Sequence, residues 1–142
     1  MHTTVTQAFS SAECVREIAL QVMRMSEAIH QALRKYTSTT VPADPNTTSA
    51  YALLTEEYAV RARASMLLIE AKRLARSEFP VSQAEVLATL AQVEVRLSQS
   101  SSLDELSELI TGLLLFTSSI ISRNNQMISM LFQNLEQAVA PA

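Results

Sequence analysis

Residues 103–139 read LDELSELITGLLLFTSSIISRNNQMISMLFQNLEQAV. Apolar side chains recur in this stretch every three or four positions, which is the spacing of one face of an α-helix. The main row consists of Leu103, Leu106, Ile110, Leu113, Thr117, Ile120, Asn124, Met127 and Leu131. A second row, one position along, consists of Leu114, Ile121, Ile128 and Leu135. The pattern predicts one helix of roughly 35 residues, about 50 Å long at a rise of 1.5 Å per residue.

The middle of this helix, residues 109–121, is apolar on nearly every face. A helix of that kind is surrounded by protein, whereas a helix at the surface of a bundle keeps one polar face. A membrane-spanning helix needs about 20 consecutive apolar residues, and this run is roughly 13 long and interrupted by Thr and Ser. We therefore expect a buried helix and no membrane span.

Three earlier segments show the same helical periodicity. The first has a predicted buried row of Val15, Ile18, Val22, Met25, Ile29, Ala32 and Tyr36. The second has Leu53, Val60, Ala64, Leu67, Ala71 and Leu74, and the third has Val86, Leu90, Val93 and Leu97. Beside the second row lie four more apolar residues that widen its face, Leu54, Tyr58, Met66 and Ile69.

Helix starts are marked by serine followed three residues later by glutamate, the spacing of a capping box. The pairs are Ser10 and Glu13, Ser82 and Glu85, and Ser102 and Glu105. The predicted helices span about 10–37, 48–77, 82–98 and 102–139, and residues 1–9 are predicted to form a flexible N-terminus. The sequence thus predicts an all-α fold, an antiparallel four-helix bundle in a single domain over 10–139 with a long C-terminal helix.

The amino-acid composition excludes several kinds of functional site. The chain has 142 residues with a 48% hydrophobic fraction, one glycine, one cysteine and a net charge of −3. One glycine is too few for glycine-rich phosphate loops, and a lone cysteine forms neither an internal disulfide nor a thiolate zinc site. The opening residues lack the basic and apolar runs of a signal peptide, so we expect a cytoplasmic protein.

Unequal helix lengths predict self-association. The third predicted helix is about half as long as the fourth, so the end of the fourth would overhang. Buried apolar area contributes about 25 cal/mol per Å², which favours covering that overhang with another chain, most simply in a dimer. The predicted interface consists of Asn124, Met127, Met130, Leu131, Phe132 and Leu135.

Asn124 has two interpretations at this point. It occupies a position in the apolar row between Ile120 and Met127. An asparagine buried in a helix seam sets register and oligomer state by pairing with its equivalent in another chain. Alternatively, it marks an exposed stretch of the overhang where its amide bonds to water.

The sharpest pattern for metal chemistry is Glu27 followed three residues later by His30. Residues three apart share a helix face, as in di-iron bundles, but those sites need two such motifs and two further glutamates. The other histidine, His2, lies at the start of the chain. We expect a surface pair and neither a metal nor a cofactor.

Basic residues concentrate in the second predicted helix, at Arg61, Arg63, Lys72, Arg73 and Arg76. Positions 61 and 63 point about 160° apart on a helix, so the set forms no continuous basic stripe. Arg73 and Arg76 lie near the helix C-terminus, where cations complement the helix dipole. This arrangement favours solubility over a nucleic-acid partner.

Catalysis finds little support in the sequence, and we do not expect an enzyme. Nucleophilic catalysis needs a base beside the nucleophile, and His30 is the one histidine inside a predicted helix. Cys14 lies near a helix start, where a thiolate is stabilised, but it equally suits packing beside Val15.

The sequence predicts a non-catalytic protein–protein interaction module, a chaperone, adaptor or regulatory subunit, that binds a helix or peptide in an apolar groove. The alternatives are a small-molecule or metal site in the bundle core and a nucleic-acid-binding regulator.

Overall fold

The computed structural model describes residues 5–37, 45–77 and 79–141. Its helices are α1 (Ala12–Thr37), α2 (Pro45–Ile69), α3 (Ala71–Leu74), α4 (Gln83–Gln99), α5 (Leu103–Ser122) and α6 (Asn125–Val139). Within those ranges the rest is turn and coil, with an isolated bridge between Gln7 and Ser82. The all-α class is confirmed. Residues 1–4 of the predicted N-terminus and most of the predicted connection at 38–47 lie outside the described residues.

The predicted fourth helix is divided, which corrects the long C-terminal helix. Arg123 has left-handed backbone angles, φ 63° and ψ 29°, and Asn124 caps the helix that follows. Because a left-handed residue reverses the chain, α6 folds back along α5. The overhang that motivated self-association through the last helix is therefore not present.

Close packing holds the α5–α6 hairpin together. A side chain at Gly112 would place its Cβ only 3.1 Å from Cδ2 of Leu135, so the glycine lets the two helices approach. The rings of Phe116 and Phe132 lie 5.9 Å apart, and both side chains are buried. The single glycine of the chain thus serves helix packing.

The second predicted helix is also interrupted. Backbone angles of φ −104° and ψ 20° at Glu70 separate α2 from the single turn of α3. The helical run ends at Leu74, before the predicted end at 77, and Ala75 is extended. The described chain therefore has five long helices and one short one where four were predicted.

The helices close into a ring in the order α1, α2, α5, α6 and α4. Helices α1 and α2 are antiparallel, because His30 lies opposite Glu57 and the hydroxyl of Tyr51 donates to the carbonyl of Thr37. Helices α1 and α4 run in the same direction, since Gln83 bonds near the start of α1 and Glu94 bonds further along it. This five-helix ring differs from the predicted four-helix arrangement because α6 supplies an additional wall.

The predicted apolar rows of the first three helices lie in the core, whereas the main row of the fourth includes the exposed Asn124 and Met127. Every member of the predicted rows of α2, α3 and α4 is buried, and so is the α1 row except for the half-buried Tyr36. The three-to-four spacing therefore identified the inward faces correctly. It did so because each of these helices contacts its neighbours along one face.

The end of the predicted flexible N-terminus is packed, which differs from the sequence prediction. Ala8 donates its amide to the carbonyl of Val81 at 2.9 Å, and Phe9 is buried with its ring edge-on to Phe79, 5.2 Å away. Gln83 is buried and bonds to the Phe9 amide and the Cys14 carbonyl. Residues 6–9 thus join the starts of α1 and α4.

Two predicted capping residues are confirmed, and one is displaced. The hydroxyls of Ser82 and Ser102 accept the amides of Glu85 and Glu105 at 3.1 and 3.2 Å. At α1, Ser11 and not Ser10 accepts an amide, that of Cys14 at 3.1 Å. The first helix therefore begins one to two residues later than predicted.

Candidate functional site

The six predicted interface residues do not form one exposed surface. Three of them, Leu131, Phe132 and Leu135, are buried against the rest of the chain. Met127 and Met130 are exposed. The folding back of α6 explains the difference, because it turns the apolar face of α6 towards α5 and not towards solvent.

Asn124 is a helix N-cap. Its Oδ1 accepts the backbone amide of Met127 at 3.1 Å, and the residue is exposed. A capping side chain satisfies one of the free amides in the first turn of a helix. This contact accounts for the asparagine without a second chain, so the role in an oligomer seam is not needed.

Replacing Asn124 by alanine is expected to lower the free energy of unfolding by about 1 kcal/mol, the usual cost of removing an N-cap. Asn124→Asp retains an acceptor and should stay within a few tenths of the wild type. Urea unfolding followed by circular dichroism measures both. A change in oligomer order for Asn124→Ala, with unchanged stability, would restore the seam interpretation.

The Glu27–His30 pair faces an arginine. The Arg61 guanidinium lies 2.9 Å from Oε1 of Glu57 and 3.5 Å from Oε2 of Glu27, while His30 Nδ1 lies 3.8 Å from Glu57. The hydrogen bond that Arg61 donates to Glu57, and then the negative charge of Glu57, raise the pKa of Arg61. The Arg61 guanidinium therefore lies between the two carboxylates. Among the described residues, no group of three or more His, Cys, Asp or Glu is arranged to hold a metal ion.

The basic residues after position 60 point to separate partners within the chain. Arg63 donates to the Ser118 hydroxyl at 3.1 Å, and Arg73 pairs with Glu70 at 2.7 Å. Arg76 donates instead to Ile120 and Asn125, on either side of the α5–α6 turn. These side chains do not present a common face to a nucleic acid.

Arg76 holds four parts of the chain together. Its guanidinium donates to the carbonyls of Leu74 and Ile120 at 3.2 and 3.1 Å and to Oδ1 of Asn125 at 2.6 Å. It also lies 5.7 Å from the ring of Phe9. Burial, and then the nearby Arg123, lower the pKa of Arg76. The sequence predicted a cation at the end of its own helix, whereas the structure places it at the end of α5.

An open groove with a volume of about 810 Å³ lies between α1 and α4. Leu20, Met23 and Leu87 supply its apolar lining, and Leu20 is 54% exposed. The polar residues that complete the lining are Glu17, Gln21, Arg24 and Glu27. We call these seven residues the α1/α4 groove.

The rim of the α1/α4 groove is acidic. Its charged members are two glutamates, Glu17 and Glu27, and one arginine, Arg24. The arginine donates to Oε1 of Gln21, whose amide nitrogen lies 3.5 Å from a third carboxylate, that of Glu94. The groove therefore offers apolar contacts between carboxylates.

Helical periodicity did not identify Leu20 and Leu87, because neither residue belongs to an inward row. Each lies one or two residues from a row member, Leu20 beside Ile18 and Val22 and Leu87 beside Val86. The available signal was a large aliphatic side chain outside the predicted inward face of an amphipathic helix. The groove forms only because α1 and α4, which carry these two leucines, lie side by side.

The outer face of α2 is apolar and exposed. Of the four residues predicted to widen the inward face, Leu54 packs partly buried against the core, whereas Tyr58, Met66 and Ile69 are exposed. Ile69 is 83% exposed and Tyr58 69%, and Tyr51 and Met66 are also exposed. Met66 was predicted to fill the core, but it points outward because the core is on the opposite side, at Ala64 and Leu67. We call Tyr51, Thr55, Tyr58, Ala62, Met66 and Ile69 the α2 outer stripe.

Helix α5 has the length and hydropathy that a membrane span requires. It has 20 residues, and its most apolar window has a mean hydropathy of 1.3 and is 44% buried. It packs between α2 and α6, and the core helix of a soluble protein has the same properties. One such helix within the described ranges is compatible with a soluble protein and gives no support to a multi-span membrane protein.

Comparison of this chain with models of known protein families, with curated proteins and with solved structures gives no match.

Proposed function

We propose that this protein is a non-catalytic binding module that holds an amphipathic helix of a protein partner in the α1/α4 groove. The observation that carries the proposal is the groove itself, in which Leu20, Met23 and Leu87 lie between carboxylates. Grooves between helices bind partner helices through apolar anchors at spacings of three, four and seven residues. In this role the protein is a chaperone, an adaptor or a regulatory subunit, acting in the cytoplasm.

The shape of the α1/α4 groove supports a helix as the occupant. Ala84 and Ala91 lie three and four residues from Leu87 on the same face of α4, and both are exposed. Small side chains let a second helix approach closely. A further cavity of about 240 Å³ lies between α1 and α4 beyond the groove, and it is lined in part by Ala28, Lys35 and Ser98. Together the groove and this cavity follow α1 from Leu20 to Lys35, a length of roughly 22 Å or about four helical turns.

The charge of the rim supports a basic partner. Glu17 and Glu27 border the apolar lining, and Glu94 lies behind it. Complementary charges at an interface rim speed association and select among partners more than they add affinity. We therefore propose that the partner helix carries aliphatic anchors on one face and lysine or arginine along its edges.

A model peptide tests this proposal directly. The probe is a fluorescein-labelled 18-residue helix with leucines on one face and lysines beside them, and fluorescence anisotropy measures its dissociation constant. Leu20→Gln removes the most exposed apolar contact without adding charge and should raise the dissociation constant about tenfold, since tenfold equals about 1.4 kcal/mol. A peptide with glutamates in place of the lysines should bind at least tenfold more weakly.

Leu115→Gln is the matched control, because Leu115 is a leucine of similar exposure, 48%, on α5. It should leave the dissociation constant unchanged. Equal weakening by Leu20→Gln and Leu115→Gln would show non-specific adsorption, and it would overturn the proposed groove. Absence of binding to wild-type protein would overturn it as well.

A further inference from the structure

Helix α2 carries apolar side chains on its outward face as well as its inward one. Its inward face packs against α1 and α5. Its outward face carries the α2 outer stripe, at positions 51, 55, 58, 62, 66 and 69. A helix that is apolar on opposite sides is normally covered on both. The stripe is therefore an interaction surface that the described part of the chain leaves open.

The spacing of the stripe is that of a helix–helix seam. Successive members are four, three, four, four and three residues apart, which keeps them on one side of α2. From 51 to 69 the stripe is roughly 27 Å long at 1.5 Å per residue. That shape fits another helix lying along α2 better than it fits a compact ligand.

The exposed area reaches the scale of a stable interface. Tyrosines bury about 150–250 Å² when fully covered, so Tyr51 and Tyr58, exposed by 55% and 69%, offer on the order of 250 Å² together. Met66, Ile69 and the smaller members bring the stripe to roughly 600 Å², at the upper end of the patches on ordinary monomers. A standard interface buries about 800 Å² per partner, which the stripe and its flanks approach.

We propose that the occupant of the α2 outer stripe is a second copy of this chain, with the two α2 helices packed antiparallel around a twofold axis beside position 60. An antiparallel pair about that position brings residue 58 of one copy to residue 62 of the other. The large Tyr58 then covers the small Ala62, twice by symmetry, and Tyr51 lies against Ile69. A twofold interface requires this kind of self-complementarity.

The charges around the stripe also favour a second copy. No member of the stripe is ionisable at neutral pH, so it selects no charged partner. The neighbouring cations are held elsewhere, Arg61 by Glu57 and Glu27 and Arg63 by Ser118. The dimer does not use the α1/α4 groove and does not depend on the proposed function.

Ala62→Glu tests this dimer, because it places a carboxylate at the centre of the stripe without touching the core. Multi-angle light scattering over a concentration series is expected to show wild-type protein at twice the 15.6 kDa chain mass. The variant should raise the dimer dissociation constant at least about 30-fold, the effect of losing a central contact of 2 kcal/mol. Tyr58→Ala should act in the same direction.

Leu20→Gln serves as the control, since it changes the other exposed apolar surface and should leave the dimer intact. Circular dichroism checks that all three variants keep the helix content of the wild type. Orientation is tested by mixing Tyr58→Cys with Ala62→Cys, each in a Cys14→Ser background, under mild oxidation. The antiparallel pair predicts that the mixture cross-links faster than either variant alone. A wild-type monomer at all concentrations, or a dimer that Ala62→Glu leaves unchanged, would overturn the proposal.

Discussion

Replacing Phe132 by alanine is expected to lower the free energy of unfolding by about 3–5 kcal/mol, the usual cost of truncating a buried phenylalanine. Phe132 is 1% exposed, and its ring lies 5.9 Å from that of Phe116. The truncation removes this aromatic contact and leaves a cavity between α5 and α6. Interiors relax only partly around such cavities, so the loss exceeds the hydrophobic transfer of the ring alone.

Met130→Ala is the matched control on the same helix, since Met130 is 48% exposed. It should change the free energy of unfolding by less than about 0.5 kcal/mol, as surface substitutions do. Urea unfolding of the two variants at one protein concentration makes the comparison. If Phe132→Ala kept the wild-type stability and only changed the oligomer mass, Phe132 would belong to an interface, as its sequence position predicted.

Arg76→Met should cost about 2–4 kcal/mol of stability. The substitution keeps most of the aliphatic stem and removes hydrogen bonds from a charged donor to Leu74, Ile120 and Asn125. A hydrogen bond to a charged group contributes about 1.5–3 kcal/mol, and partial exposure keeps the sum below the simple total. The carbonyl of Ile120 would also lose a partner at the end of α5.

Arg73→Met controls for the loss of positive charge. Arg73 is exposed and pairs with Glu70 on the helix surface, so its removal should change stability far less than the removal of Arg76. Arg76→Lys should recover only part of the loss, because an ammonium cannot reproduce the fork of the guanidinium. Equal effects of Arg73→Met and Arg76→Met would mean that general electrostatics, and not the contacts at the turn, account for the cost.

The inward faces were predictable from sequence because burial follows local periodicity. The break at Arg123 was not, because the apolar spacing continues in phase across it. Ile121, Ile128 and Leu135 lie seven residues apart, whether the helix is continuous or folds back. The stretch from Ser122 to Asn125 contains neither glycine nor proline, so the strongest signals of a turn are missing.

The partner that stabilises this turn is also distant in sequence. Arg76 lies 44 residues before Ile120, whose carbonyl it binds. A tertiary contact of this kind overrides local helix propensity. For the same reason Asn124 was interpreted as a row member, although asparagine is a favoured N-cap.

The candidate surfaces depend on which helices are neighbours, which periodicity does not report. Tyr58 and Ile69 were assigned to the inward face because an apolar residue beside a buried row is consistent with a wide core contact. Among the described helices, the ring places α2 between α1 and α5 and leaves these side chains on the outside. Leu20 became recognisable only when α4 was placed beside it.

The packed segment at the start of α1 has a consequence for biosynthesis. Phe9 bonds through its amide to Gln83, a residue 74 positions later in the chain. At a ribosomal rate of about 5–20 residues per second, Gln83 is made roughly 4–15 s after Phe9. During that interval α1 and α2 can pair, but the buried position of Phe9 cannot yet be completed. The ring of helices is therefore closed late in translation, when the beginning of the chain is joined to its second half.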